Sequence, residues 1–99
     1  MTPRAKVERR GPFIATLRRY PGKGGWTFAE IPKKHAPPVT RPWGRTPVLA
    51  SVDGVEWKTS IWRDSKSDGS LLAVPARVRG TKGGGDKVTV EFTFERDDD

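Results

Sequence analysis

The residues of this 99-residue chain best equipped for chemistry are cations and aromatics. Arg18, Arg19, Lys23, Lys33, Lys34, Arg41 and Arg45 all fall in the first half, with Tyr20 and Trp43 among them. Cationic side chains neutralise phosphates, and exposed aromatic faces stack on unpaired bases at about 1–3 kcal/mol each. The set is therefore a candidate nucleic-acid-binding face. A solvated basic exterior is the competing reading, and Trp43 competes as a packing residue capping the fold. Trp62, beside Arg63, is a candidate anchor for a protein partner, because a half-exposed Trp offers much contact area. It serves equally well as a cover over the outer surface of the fold.

Other chemistry finds little material. Cysteine is absent, which excludes thiolate metal sites, disulfides and cysteine nucleophiles together. The single His35 stands in a proline-rich basic stretch without a nucleophile partner in view, and Asp64, Asp68 and Asp86 occupy turn positions. The runs Gly22-Lys23-Gly24-Gly25 and Gly83-Gly84-Gly85-Asp86 match no phosphate-loop sequence and lead into no helix, so they read as tight turns. The expectation is a non-enzymatic chain with no metal and no cofactor.

The elements that must position these residues follow from hydrophobic period. Phe13, Ala15 and Leu17 alternate with Thr16 and Arg18, and after a Pro-Gly turn Trp26 and Phe28 resume the alternation toward Ile31. Val48, Ala50 and Val52 lead into Asp53-Gly54, a strong two-residue hairpin signal, and Val55, Trp57, Thr59 and Ile61 return antiparallel. Leu72 and Val74 make a short strand ended by Pro75. Val88, Val90, Phe92 and Phe94 give the cleanest alternation of all. Proline and glycine limit residues 33–36 and 76–79 to about one helical turn each. The fold class is all-β, a small closed barrel of about seven short strands, since closure removes exposed edges. Residues 1–11 read as a flexible basic arm, 12–95 as the barrel domain and 96–99 as an acidic tail.

The net charge is +7, concentrated toward the amino end, while the chain finishes on Asp97, Asp98 and Asp99. Such a surface attracts nucleic acid or an acidic protein. No run approaches the ~18 apolar residues of a membrane span, and no signal-peptide core is present, so a cytoplasmic protein without membrane contact is expected.

Phe28-Ala29-Glu30-Ile31-Pro32 and Leu71-Leu72-Ala73-Val74-Pro75 echo each other, each ending an apolar strand in a β-branched residue, proline and a basic turn. Together with Phe13-x-Ala15-x-Leu17, Gly25-Trp26-x-Phe28, Trp43-Gly44-Arg45 and Gly85-Asp86-x-Val88-x-Val90, these motifs resemble a bacterial family, the domain of unknown function numbered nineteen-oh-five. The resemblance spans about residues 12 to 94. It implies a split, pseudo-twofold barrel topologically similar to the swapped-hairpin barrels of AbrB-like and MazE-like proteins, but closed within one chain, hence a monomer. The family has no established activity to carry over.

The reading is a non-enzymatic binding module contacting nucleic acid through a basic face running from Arg18-Arg19 through Lys33-Lys34 to Arg41 and Arg45. A protein-interaction module anchored on Trp62 or Trp43 is the alternative, and a small-ligand site in the barrel mouth a third.

Overall fold

Period-two alternation with proline and glycine punctuation yields an all-β structure. The computed structural model describes residues 6–20, 26–64 and 69–96. Six strands form: β1 (Lys6–Arg19), β2 (Thr27–Ile31), β3 (Arg45–Val52), β4 (Val55–Arg63), β5 (Ser70–Ala73) and β6 (Lys87–Arg96). They close into an antiparallel barrel in the order β1-β2-β5-β4-β3-β6. Between them lie 3-10 turns at Lys33–His35 and Pro42–Gly44 and one helical turn, α1 (Ala76–Arg79). The count is six strands rather than about seven.

Inward-facing side chains fill the barrel. Leu17, Ile31, Val52, Ile61, Leu72, Val88, Val90 and Phe92 are each essentially buried, so the interior is packed core.

The 14-residue β1 corrects one boundary. Lys6–Arg10, expected in a flexible arm, pair with β6 in the register Lys6↔Arg96 to Arg10↔Phe92. Alternation gave no warning because the residues opposite Phe94 and Phe92 are Glu8 and Arg10, a charged pair. Arg10 bonds Glu8 through its Nε at 2.7 Å, donates to the Ala36 carbonyl at 3.2 Å, and holds its guanidinium 5.4 Å from the centre of the Phe94 ring. The cation is thus partnered on three sides, which is what makes its inward register tolerable. Residues 1–5 and the acidic residues 97–99 lie outside the described residues.

A bulge between Arg10 and Phe13 turns the strand, and Gly11 sits in it at φ 100°. A Cβ on Gly11 would stand 2.6 Å from the Val90 carbonyl oxygen, so β6 passes too close for any side chain.

The pairing scheme is unchanged when each strand of the first three is exchanged with the strand three places later. β1·β2 becomes β4·β5, β1·β6 becomes β4·β3, and β2·β5 and β3·β6 map onto themselves. The proline echo takes its place in this symmetry. Pro32 accepts a bond from the His35 amide at 2.9 Å, and Pro75 accepts one from the Val78 amide at 2.9 Å. Each turn delivers a plug to the barrel: Val78 is buried, and His35 stacks flat on Phe13 with ring centroids 4.2 Å apart.

The Asp53-Gly54 turn has φ of 48° and 88°, as a type I′ hairpin requires. Asp53 also ties the turn to β6. Its Oδ1 accepts from the Thr89 amide at 2.8 Å and its Oδ2 from Lys82 Nζ at 2.8 Å. The Lys82 hydrogen bond, then the Thr89 amide, hold the Asp53 carboxyl below its ordinary value of 3.8.

Gly11→Ala is expected to destabilise the fold by roughly 1–3 kcal/mol, as strain at such a site does, whereas Gly83→Ala, where a Cβ meets nothing within 4 Å, should be close to neutral. Urea unfolding of the two variants checks this. For Asp53, a depressed folded pKa means stability that is present above the unfolded pKa and lost as pH falls through the folded one. The stability advantage of wild type over Asp53→Asn should therefore hold constant above about pH 5 and shrink as pH drops below about 4, read from urea midpoints of both proteins across that range.

Candidate functional site

Register decides which side chains the barrel offers outward. Leu17 is paired with Ala29, and because cross-strand neighbours share a face, the residues one step away, Arg18 and Phe28, look outward together. The same holds across the sheet. Thr16↔Glu30, Glu30↔Leu71, Leu71↔Trp62 and Trp62↔Arg45 make one outward row crossing β1, β2, β5, β4 and β3. Arg18↔Phe28↔Ala73 make a second, two residues further along.

These rows carry aromatic surface. Trp26 is 61% and Trp62 41% exposed, against 1% for the neighbouring Ile61. The expected outward orientation of Trp62 is therefore what the strand adopts. Phe28 packs edge-on to Tyr20 at 5.2 Å and lies 6.4 Å from Trp26. The alternation that Trp26 and Phe28 resume toward Ile31 buries the other set, Thr27, Ala29 and Ile31. Ile31 and Ala29 lie two residues apart, and that spacing was the available signal. Two strand spacings of about 4.8 Å and a two-residue offset of about 7 Å put Phe28 and Trp62 roughly 12 Å apart on this face. Arg18 stands at one margin, 3.6 Å from Glu30, and Arg45 at the other.

The expected basic residues divide between two places. Arg18 and Arg19 end β1 at the mouth where β2 begins, since Arg19 pairs with Thr27. Lys33 and Lys34 follow the opposite end of β2, roughly 15 Å away by strand length. Near that second end stand Arg41, Trp43, Arg45, Trp62 and Arg63. The Arg41 amide donates to the Arg45 carbonyl at 2.9 Å, Arg45 pairs with Trp62, and a Cβ on Gly44 would lie 3.3 Å from that of Arg63. A single basic face from Arg18 to Arg45 therefore does not form: β2 and its neighbours put the aromatic rows between the two groups. Lys23 lies outside the described residues.

Trp43 does not pack as a cap. It is 89% exposed and holds φ 71°, followed by Gly44 at φ 69°. A left-handed bulky residue is costly, and the strand pairing on either side of the turn imposes it.

Recesses open on the surface among the described residues. A groove of about 510 Å³ is lined by Arg10, Lys33, Arg63 and Ser70 together with Pro37 and Pro38. A cleft of about 400 Å³ lies where β3 and β6 part beyond Leu49↔Thr93, between Val48 and Phe94, with Arg41, Lys58 and Glu95 on its rim. Among the described residues no three His, Asp or Glu side chains gather to hold a metal, and no helix is long and apolar enough to cross a membrane.

No curated protein and no solved structure matches the chain. The model of a domain of unknown function, DUF1905, matches residues 13–92, from the Phe13 strand through Phe92 of β6. That stretch holds the later half of β1, all of β2 to β5 and most of β6, together with both proline turns and both outward rows, and on that match the chain belongs to the DUF1905 family.

Proposed function

We propose that this barrel is a non-enzymatic binding module that takes single-stranded nucleic acid across the outer face of β1, β2, β5 and β4. The observation that carries the reading is the outward register, which sets Phe28, Leu71 and Trp62 between Arg18 and Arg45, with Tyr20 and Trp26 two residues beyond Arg18 and Phe28. Bases in a duplex hide their faces from such a surface, and unpaired bases do not. Arg18 and Arg45 at the margins stand where the sugar-phosphate backbone would pass, and a net charge of +7 draws a polyanion from a distance. The fold does not oppose the row with acid except at Glu30, which Arg18 already partners.

A protein partner is the second reading, favoured by one feature, the 89% exposure of Trp43. An anchor of that kind fits a pocket on a partner rather than a base, because its neighbours on the turn are Pro42 and Gly44.

Fluorescence titration of the full chain with oligothymidylate and with a duplex of the same length separates the two readings. Binding of the single strand in preference to the duplex is expected, with Trp26→Ala and Trp62→Ala each weakening it about 5- to 100-fold. Arg18→Gln and Arg45→Gln should each reduce the salt slope by about one. Equal binding of duplex and single strand with both Trp variants unaffected would reduce the interaction to general charge attraction, and no binding at low salt would sink the proposal.

A further inference from the structure

One acid stands on a face otherwise suited to a polyanion. Glu30 lies within the outward row, paired across β1 with Thr16 and across β5 with Leu71. A carboxylate there repels phosphate, so its charge does nothing for backbone binding. Arg18 offsets that charge from the diagonal position on β1, but its Nε stays 3.6 Å from Glu30 Oε2, beyond hydrogen-bond length. Glu8 and Glu91 differ, since each accepts a hydrogen bond, from Arg10 and Arg9 respectively. Among the described residues no group donates one to Glu30. Its charge is thus compensated while both oxygens keep their lone pairs open on a partly exposed side chain.

Aromatic surface adjoins these oxygens. Phe28 precedes Glu30 by two residues on the same face of β2, about 7 Å away. Beyond it stand Tyr20, edge-on to Phe28 at 5.2 Å, and Trp26 at 6.4 Å. A base stacked on this cluster has a carboxylate within reach of its hydrogen-bonding edge. Two acceptor oxygens select among bases by donor count. Guanine alone of the common bases has two adjacent donors on its Watson–Crick edge, the N1 hydrogen and the N2 amino group, which a carboxylate accepts side by side. Adenine and cytosine offer one amino group beside a ring-nitrogen acceptor. Thymine and uracil offer one N–H between two carbonyls, whose oxygens repel the carboxylate. The guanidinium of Arg18 has donors for the acceptor that remains on guanine, O6.

We infer that Glu30, flanked by Arg18, reads guanine, accepting the N1 hydrogen and the N2 amino group of a base stacked on the Phe28 cluster. This rests on the strand-binding reading above, and it gives that strand a preferred base. The acid costs the face some attraction for phosphate and returns selectivity among bases.

The test titrates the full chain with a six-nucleotide oligothymidylate and with the same oligomer carrying one central guanine, adenine, cytosine or hypoxanthine. The guanine oligomer is expected to bind about 5- to 100-fold more tightly than the all-thymine one, the range of a bidentate base contact. Adenine, a purine with one donor group, should gain far less, and hypoxanthine, which is guanine without its N2 amino group, should lose most of the gain. Glu30→Gln should abolish the guanine preference while binding the all-thymine oligomer at least as tightly as wild type, because an acid has left the face. Its unchanged melting curve would show the barrel intact. Free guanosine monophosphate at equal concentration should not displace the guanine oligomer, and displacement would overturn the strand as the source of the base. A guanine gain no larger than that of adenine, or one retained in Glu30→Gln, overturns the inference and leaves the strand-binding reading standing. Failure of every oligomer to bind overturns that reading and the inference with it.

Discussion

The structure depends on cross-strand register. Leu17↔Ala29, Ala29↔Leu72, Leu72↔Ile61 and Ile61↔Thr46 form one continuous inward row across five strands, and every member of it is buried. Its immediate neighbour is the outward row of Thr16, Glu30, Leu71, Trp62 and Arg45. A slip of one residue in any of these pairings would exchange the rows, sending Glu30 and Arg45 into the core and Leu72 and Ile61 to solvent. Burial of the inner row, at about 1.5–3 kcal/mol for each large aliphatic side chain, therefore fixes the outer row without any contact of its own. The aromatic face is placed by the core behind it. Thr46, the one polar member of the inner row, can stay there because Pro38 accepts its hydroxyl proton, and that bond also holds the proline wall of the groove.

Exchange symmetry explains why so short a chain closes a barrel. Each half contributes two strands, a proline turn with its plug, and a third strand, and neither half can cover its own inner face. At the two self-paired junctions a small residue opposes a large one, Ala29 against Leu72 and Ala50 against Phe92. Beside the second of these pairs two equal valines, Val52 and Val90, also face each other in the core, so the large residue of each unequal pair fills the space its small partner leaves. The plugs differ too. Val78 is an ordinary apolar stopper, while His35 does the same work by stacking on Phe13, which frees its half to carry the charged Glu8 and Arg10 at the adjoining mouth.

What could be read from the sequence was whatever local chemistry dictated. Asp53-Gly54 specifies its own turn, Val88 to Phe94 alternate without interruption, and Pro32 and Pro75 each end a strand, so these elements formed where the residue types placed them. The first half of β1 was not legible because its inward positions are Glu8 and Arg10, whose partners lie some eighty residues away or in the Ala36 turn. The aromatic face was hidden for a related reason. Trp26 and Phe28 have the composition of a core, and the weaker spacing of Ala29 and Ile31 is what the pairing of Leu17 with Ala29 and the burial of Ile31 follow. The cations were all visible, but which of them stand together depends on strand order in the barrel, which no local pattern encodes. Trp43 shows the same limit, since its exposure comes from the turn that joins Arg41 to Arg45.

Charge and aromatic surface play different parts on this molecule, and their separation is the more informative fact. Cations divided between the two ends of β2 cannot clamp one rigid double helix along a continuous stripe, but they can hold both margins of a flexible chain whose middle rests on apolar ground. Coulomb attraction from a net charge of +7 reaches only about a Debye length, roughly 8–10 Å at physiological salt, and does not distinguish one polyanion from another. Discrimination has to come from short-range contact. On this barrel the short-range contact surface is the stretch from Phe28 through Leu71 to Trp62, whose breadth of roughly 12 Å suits two or three stacked rings. On the proposed reading, the arginines at its edges add orientation to an interaction that stacking makes selective.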